Sequence, residues 1–417
     1  MRKRFRFRFV TFSIIILFLA GTFGWWWQSN VRDGKYKDLL SAFYVMSIVK
    51  LSYYQPVNLV QLMDVYWKKG NISAMLKSLK DPYTRFLSKN EYEELRKDTQ
   101  GTFGGIGVFL ITKEDELLIS KVVSGSPSEK AGLQEGDRII EVGETIVKNV
   151  STEVAIAKIR GLAGTSIRLK VIRGEAKQRR ELVFNIKRKN IMVPTVELAF
   201  QVDPVLGKYA IIKITQFSET TPRDLEKSLS KIDQNPDCKA LALDLRANPG
   251  GSLDAAIKVV SQFVPEHTPV LHIKRRGALL QTISSEYYVH KQLPMVILVD
   301  SWSASAAEIV SGALKDQNRA ILVGTRTYGK DLIQEIKELP GGTAMTITIA
   351  SYLTSGKVNI HKKGVQPDKV VEIPGALDRL LKNGDSEAFK KMYQLQEEEA
   401  LRILRSQSNK EQNRLAS

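Results

Sequence analysis

The sequence has few of the residues that most often mark a chemical site. It contains one cysteine, Cys238, so an internal disulfide cannot form and a disulfide-stapled scaffold is excluded. Its four histidines are His267, His272, His290 and His361. None of them lies in a Gly-x-Ser-x-Gly context or in a cluster with metal-ligand spacing. Internal repeats and low-complexity segments are also absent. We therefore expect neither a metal nor a cofactor.

The overall composition is that of a folded protein with a strong positive charge. The chain has 417 residues, of which 43% are hydrophobic and 26% charged, and this length predicts two or three domains. The formal net charge is +17 and the isoelectric point is near 9.6. Such a charge favours an anionic partner, either nucleic acid or a membrane or wall surface.

The N-terminus decides between these partners. Five basic residues among the first eight precede the apolar run from Phe9 to Trp27, which is long enough to cross a bilayer as a helix. Basic residues on the near side predict a cytoplasmic N-terminus and an extracytoplasmic body. A cleaved signal peptide is the alternative, but no small-x-small cleavage site precedes Trp25, Trp26 and Trp27, which resemble an interfacial aromatic belt. We predict a cytoplasmic stub and single transmembrane anchor over residues 1–30 of a cell-membrane protein, and no nucleic-acid partner.

After the anchor, the hydrophobic pattern divides the chain. Residues 35–98 have helical spacing, and residues 103–187 contain short β runs around two short helices. Residues 190–375 alternate strands and helices, which predicts an α/β core with a partly parallel sheet. Residues 380–417 are typical of a charged helical tail. A homo-oligomer is possible.

A glycine-rich loop, TFGGIGV at 102–108, begins the β-rich segment. Successive backbone N–H groups in such a loop can bind a carboxylate, and the strand that follows can accept an extended peptide along its edge. A phosphate-binding loop is disfavoured because no P-loop lysine follows. The order of loop, strands and helices over about 85 residues resembles a PDZ domain of the protease-associated kind. This resemblance implies a free protein C-terminus as ligand, with these peptide-binding residues: Gly104, Gly105, Ile106, Gly107 and Val108. Arg160 resembles a PDZ arginine that reports tail binding, although a surface arginine ending a helix is an equal alternative.

Three serines lie together in SWSASAAE, residues 301–308, directly after an apolar run. A serine nucleophile needs a base, which is a histidine in most enzymes and a buried lysine in others. Lys330 closes the segment AILVGTRTYGK, in which an apolar run and a short turn precede it. Gln334 follows four residues later, where a carboxamide could orient the lysine amine without charging it.

Several motifs together resemble the carboxyl-terminal processing proteases, the tail-specific serine peptidases with an inserted PDZ domain. The motifs are DLRANPGG at 244–251, SASAAE at 303–308, RTYGKDLIQ at 326–334, YLTSGK at 352–357 and HKKGVQPD at 361–368. The resemblance extends from about residue 35 to about residue 375. It implies Ser305 as nucleophile, Lys330 as base and Gln334 as its orienting partner, with the backbone N–H groups of Gly251 and Ala306 as oxyanion donors.

The same resemblance implies a fold. We expect an α/β protein whose mixed-sheet peptidase core has the ClpP/crotonase-like spiral and carries an inserted β-rich PDZ domain. An N-terminal helical segment after the transmembrane helix would complete it. Three positions depart from the family pattern: Trp302, Ala307 and Asp331. We expect Asp331, which follows the base, to point to solvent.

Three functions are compatible with these features. The first is a membrane-anchored endopeptidase that binds unstructured C-termini and cleaves near them. The second is a catalytically silent PDZ adaptor, which the intact set of Ser305, Lys330 and Gln334 argues against. The third is a serine hydrolase of another class that uses His290 or His361 as its base.

Three substitutions distinguish these functions in a chain lacking residues 1–30, assayed on an unfolded protein that ends in apolar residues. We predict that Ser305→Ala and Lys330→Ala abolish cleavage, because each removes one half of the nucleophile and base pair. We predict that His361→Ala cleaves normally. Continued cleavage by Lys330→Ala would contradict the mechanism, and a wild type that binds tails without cutting them would favour the adaptor.

Overall fold

The computed structural model describes residues 38–113, 116–150, 152–174, 179–192, 194–287, 292–372, 374 and 386–416. The predicted membrane anchor, residues 1–30, and His290 lie outside these ranges. Within them, none of the helices has both the length and the apolar character needed to cross a membrane.

The helices of the described chain occur mainly before and within the predicted α/β core. They are α1 Leu39–Ser52, α2 Leu59–Lys69, α3 Ile72–Lys77, α4 Lys89–Gln100, α5 Pro127–Ala131, α6 Thr152–Ile159, α7 Thr221–Asp233, α8 Leu253–Ser261, α9 Ala306–Asp316 and α10 Ser386–Ala416. Ser88 and Glu91 form the capping box of α4, since the Ser88 N–H donates to Glu91 and the Glu91 N–H donates to the Ser88 hydroxyl.

The strands are grouped in the β-rich segment and in the α/β region. They are β1 Arg85–Leu87, β2 Thr102–Gly105, β3 Val108–Lys113, β4 Glu116–Val122, β5 Arg138–Val142, β6 Thr145–Ile146, β7 Ser166–Arg173, β8 Arg180–Lys187, β9 Lys189–Met192, β10 Val196–Asp203, β11 Gly207–Ile214, β12 Cys238–Asp244, β13 Pro269–Lys274, β14 Gln281–Ser284, β15 Met295–Val299, β16 Ile321–Gly324, β17 Leu332–Leu339, β18 Thr343–Thr354 and β19 Lys369–Val370.

The chain forms two compact units, and the first comprises residues up to 92, 272–282 and 331–353. Helices α1 to α3 pack against β17 and β18 through a core that includes Val45, Tyr66, Met75 and Ile347. Strand β18 pairs with β1, β13 and β17 in a five-stranded sheet. Strand β1 lies within the 35–98 segment that was predicted as helical, and there the pairing with β18 and the burial of Leu87 outweigh the helical spacing around it.

The second unit comprises residues 93–271, 283–330 and 354–417, and it contains the β-rich segment. Strands β3, β4, β5, β7 and β8 form an antiparallel sheet in that order, with β6 paired to β5. The sheet and α6 enclose an apolar core that includes Ile119, Ala155 and Leu169. Strand β2, which enters the segment, pairs antiparallel with β9, which leaves it. This pairing brings the two connections of the segment together, as an inserted domain requires.

The α/β sheet of the second unit has the order β10, β11, β12, β15, β16, β19. Strand β10 runs antiparallel to β11 and all later pairs are parallel, so the predicted partly parallel sheet is confirmed. All five residues of β15 are buried, as expected for a parallel strand covered on both faces. The strand and helix alternation does not reveal that β13, β14, β17 and β18 belong to a different sheet.

Helix α10 covers one face of this parallel sheet. Ala400, Ile403 and Leu404 are buried against a cluster that includes Ala242 and Leu298. Farther along the helix, Arg405 forms an ion pair of 2.6 Å with Asp203 at the end of β10. The segment predicted as a charged tail is therefore an integral layer of the second unit.

Candidate active site

Three loops that carry the sequence motifs leave the same edge of the parallel sheet. Strands β12, β15 and β16 are neighbours in the sheet and run parallel, so their carboxyl ends lie side by side. The residues that follow them are 245–251, 300–305 and 325–330, respectively. Open α/β sheets typically bind ligands at this edge. Here the segments predicted to carry the oxyanion donors, the nucleophile and the base all lie at this edge.

The three serines of SWSASAAE have different environments. Ser301 is exposed at a turn. Ser303 is fully buried, and its hydroxyl donates to the Leu245 carbonyl at 2.8 Å and also contacts Asp300. Ser305 is partly buried at the N-cap of α9 with φ of 54°, a backbone conformation that costs a non-glycine residue on the order of 1–3 kcal/mol. Ser303 thus has a structural bonding role, whereas Ser305 is held in a strained turn at a helix N-terminus.

The turn that contains Gly250 and Gly251 packs directly against the Ser305 turn. A Cβ on Gly250 would lie 2.7 Å from the Ser305 Cβ and 2.9 Å from the Ala306 nitrogen, so only glycine allows this approach. A Cβ on Gly251, where φ is 139°, would lie 2.0 Å from the Phe217 carbonyl oxygen. The N–H groups of Gly251 and Ala306 donate to no other residue that the structure describes. Both are therefore available as donors to an oxyanion, and that of Ala306 lies in the first turn of α9.

The buried carboxyl group of Glu308 joins the nucleophile turn to the base loop. One oxygen, Oε2, accepts from the Ser305 N–H at 2.8 Å and from the Lys330 N–H at 2.9 Å. The other, Oε1, accepts from the Gly329 N–H and from the Thr327 hydroxyl, each at 2.6 Å. The backbone nitrogens of Ser305 and Lys330 therefore lie close together, because both bind the same oxygen atom.

The ionisation of Glu308 reflects two opposing effects. Burial raises the pKa of its carboxyl group, while the hydrogen bonds from Thr327, Lys330, Gly329 and Ser305 lower it, and the net direction is upward. All four groups donate hydrogen bonds to the carboxyl oxygens, and these bonds favour the ionised form of Glu308.

Lys330 is the last residue of a second-unit segment. Asp331, which follows it directly, and Gln334 belong to the first unit. Gln334 lies on β17 at a register shift opposite β18, and its Nε2 is buried without a hydrogen-bond partner among the described residues. Asp331 is 5% exposed, and its carbonyl accepts from the Tyr352 N–H. The expectation that Asp331 points to solvent is wrong, because the start of β17 is held against the end of β18.

The predicted peptide-binding loop lines a cavity of about 380 Å³. The loop residues 104–108 contribute one side, and residues from α6 and from the α/β region contribute others: Ile156, Ile159, Arg160, Thr195, Thr215 and Gln216. Strand β3 is an edge strand, since β4 is its only neighbour in the described sheet. The N–H groups of Ile106 and Gly107 donate to none of the described residues. An open edge strand, free loop N–H groups and apolar side chains are what an extended peptide with a terminal carboxylate needs.

The cavity is connected to the oxyanion turn through a short segment. Thr215 and Gln216 line the cavity, and the next residue, Phe217, accepts from Ser252 and donates to the Gly250 carbonyl. Arg160 is exposed at the end of α6 and also lines the cavity, and its charge opposes the rise that burial causes in the pKa of Asp98.

The histidines lie at separate places in the chain. His272 is buried on β13 with Nδ1 2.9 Å from the Thr282 hydroxyl, and His267 and His361 are exposed on loops. No group of three or more potential metal ligands occurs within the described ranges.

Comparisons with known proteins identify the two parts of the chain. Residues 208–371 match the family model of peptidase family S41, and residues 94–172 match that of the PDZ domain. The chain is 32% identical over 385 residues to the carboxy-terminal processing protease CtpA of Bacillus subtilis, covering 90% of this chain and 79% of that protein. It is 35% identical over 310 residues to the chloroplastic carboxyl-terminal-processing peptidase 3 of Arabidopsis thaliana, covering 72% and 59% respectively.

A solved structure shows the same architecture. The photosystem II D1 C-terminal processing protease aligns with a TM-score of 0.52 and 26% identity, over 84% of this chain and 97% of that one. The predicted α/β fold with an inserted PDZ domain is confirmed.

In the sequence, Glu308 appeared only as the last residue of the SASAAE motif, and Thr327 had no role. A glutamate three residues after a helix N-cap normally bonds that cap from the helix surface. Here Glu308 is fully buried and also binds the base loop, and only the adjacency of β15 and β16 in the sheet reveals this.

The Glu308 contacts predict a contribution to the acid limb of the pH–activity profile, in addition to the protonation of the proposed base, Lys330. Activity should fall as pH decreases through the raised pKa of Glu308, because the protonated carboxyl loses acceptor capacity toward its four donors. A raised folded-state pKa makes this group's contribution to stability greatest at low pH and smaller as pH rises toward that pKa. Acid unfolding through Glu308 is thus not the cause of the fall.

The variant Thr327→Val tests this directly. It removes a hydrogen bond that lowers the Glu308 pKa, so the acid limb of kcat/KM should move to higher pH. Thr325→Val is the matched control in the same loop, since its hydroxyl is not among the donors to Glu308, and its limb should not move. A limb that stays in place in Thr327→Val, or that moves equally in both variants, would contradict the assignment.

Proposed function

The chain belongs to peptidase family S41, the carboxy-terminal processing serine peptidases, and on that premise we propose that it binds protein C-termini in its PDZ groove and hydrolyses peptide bonds with Ser305, Lys330 and Gln334. The observation that supports this most strongly is the shared carboxyl oxygen of Glu308, which binds the backbone N–H groups of Ser305 and Lys330. Two residues 25 positions apart in sequence, the proposed nucleophile and the proposed base, thereby share one hydrogen-bond acceptor.

The proposed reaction proceeds through an acyl-enzyme. The neutral Lys330 amine takes the proton of the Ser305 hydroxyl while the Ser305 oxygen attacks the scissile carbonyl carbon. Lys330 then gives this proton to the leaving amine as the carbon–nitrogen bond breaks. In the second half, Lys330 takes a proton from water while the water oxygen attacks the acyl carbon. Lys330 then returns this proton to the Ser305 oxygen as the carbon–oxygen bond of the acyl-enzyme breaks. Gln334 would orient the lysine amine through a carboxamide, which adds no charge.

The oxyanion of each tetrahedral intermediate would be bound by the N–H groups of Gly251 and Ala306. Both are donors without another partner among the described residues, and both lie at the contact of the two turns. Loss of one such donor typically raises the barrier by about 3 kcal/mol. The strained φ of Ser305 supports this assignment, because it presents the hydroxyl and the next N–H from one tight turn.

Substrate selection would occur in the PDZ groove. A C-terminal carboxylate would bind the N–H groups of the glycine loop, and the tail would extend along β3 with apolar side chains against Ile156 and Ile159. The segment Thr215 to Phe217 links this cavity to the Gly250 turn, which supports gating of the peptidase by an occupied groove. Arg160, at the cavity rim, would report the bound tail.

We also propose that residues 1–30 anchor the protein in the cell membrane as a single-pass segment with the catalytic body outside the cytoplasm. The five N-terminal basic residues and the apolar run from Phe9 to Trp27 support this. The full-length chain should stay with membranes through alkaline carbonate washing, and a chain lacking residues 1–30 should be released. Release of the full-length chain would refute the anchor.

Tail recognition is tested with one peptide in two forms, with a free or an amidated C-terminus and an apolar last residue. In the Ser305→Ala background we expect only the free acid to bind, because the amide lacks the charge that the loop N–H groups attract. Ile156→Ala should weaken this binding about tenfold through lost apolar contact. Val154→Ala, on the exposed side of the same helix, is the matched control and should bind normally. Equal binding of both peptide forms would exclude carboxylate recognition.

A further inference from the structure

Helix α10 contributes polar groups to the edge of the sheet where the candidate active site lies. Tyr393 donates its hydroxyl to Asp300 Oδ2 at 3.0 Å, and its carbonyl accepts from Arg246 at 3.0 Å. Glu397, one turn later, binds the Arg246 guanidinium at 2.7 Å. Asp300 and Arg246 are 1% and 3% exposed, whereas Tyr393 is partly buried and the Glu397 side chain is 47% exposed.

Asp300 in turn fixes the backbone of both turns that form the site. Its carboxyl group accepts from the Ala247 N–H, at the start of the oxyanion turn, with 3.0 and 3.1 Å to its two oxygens. It also accepts from the N–H groups of Trp302 and Ser303, in the nucleophile turn, at 2.9 and 3.0 Å. One buried carboxylate therefore sets the spacing between the two turns.

Arg246 secures the same region from the other side. Its guanidinium forms a bidentate pair with Asp244, the last residue of β12, and stacks 4.2 Å from the centre of the Tyr393 ring. Ala247, between this anchor and the oxyanion turn, has φ of 56°, a conformation that needs support from its surroundings. Asn248 then accepts from the Ala304 N–H and from the Gly250 N–H, which continues the connection to the Ser305 turn.

We infer that Tyr393 is a positioning residue for the peptidase reaction: through Asp300 it holds the oxyanion turn and the nucleophile turn in register, so α10 is part of the active-site support. This inference rests on the proposed roles of Ser305, Gly251 and Ala306. In this role Tyr393 acts through Asp300 and not on the reacting atoms. Burial, followed by the Asp300 charge, raises the pKa of the Tyr393 hydroxyl, which keeps it a donor across the working range of pH.

The test compares two conservative changes on the same helix in the full-length protein. Tyr393→Phe removes the hydroxyl but keeps the ring over Arg246, and it should lower kcat about tenfold with KM unchanged, because misplaced turns impair transition-state binding. Arg405→Gln removes the ion pair with Asp203, at the other end of the contact between α10 and the parallel sheet. It should leave kcat unchanged even if the unfolding temperature falls. Equal loss of kcat in both variants would show that α10 has only a general structural role.

A second readout does not depend on activity. Hydrogen exchange of peptides covering 245–251 and 301–306 should be faster in Tyr393→Phe than in the wild type, and unchanged in Arg405→Gln. Unchanged exchange in Tyr393→Phe would overturn the inference. If the wild type did not cleave any substrate, the proposed function would fail, and exchange alone would still decide whether Tyr393 positions the two turns.

Discussion

The arrangement of the candidate site depends on the buried carboxyl group of Glu308. It binds both the turn of Ser305 and the loop of Lys330 through their backbone N–H groups. In the proposed reaction, the Ser305 hydroxyl and the Lys330 amine could therefore change protonation state while their backbones keep these bonds. A buried carboxyl group is stable here only because four donors compensate for its desolvation.

The parallel sheet explains why one carboxyl group can reach two of these segments. Strands β12, β15 and β16 bring the segments proposed to carry the oxyanion donors, the nucleophile and the base to one edge, and the glycines at 250 and 251 let two of these segments touch through their backbones. Strand β11 ends at the same edge and leads into Thr215 and Gln216, which line the PDZ cavity. In the proposed function, tail binding and catalysis would thus use one edge of one sheet, to which α10 is bonded through Asp300.

The sequence predicted the elements that local patterns encode. The strands of the PDZ segment and the alternation of the α/β core follow from spacing and composition, and the motifs pointed to Ser305 and Lys330. Contacts between distant segments were not predictable. The pairing of β1 with β18, the burial of Asp331 and the packing of α10 depend on which surfaces meet, and a charged helix pattern does not show that Tyr393 reaches Asp300.

The central claim is that Glu308 holds Ser305, and no other serine of SWSASAAE, as a reactive nucleophile. The most direct measurement is mass spectrometric mapping of the protein after treatment with a peptidyl fluorophosphonate, with the labelling rate compared between the wild type and Glu308→Gln. We predict one adduct, on Ser305, and labelling at least about tenfold slower in the variant, because the turn and the base loop lose their common acceptor. An adduct on Ser301 or Ser303, or equal rates in the two proteins, would contradict the account.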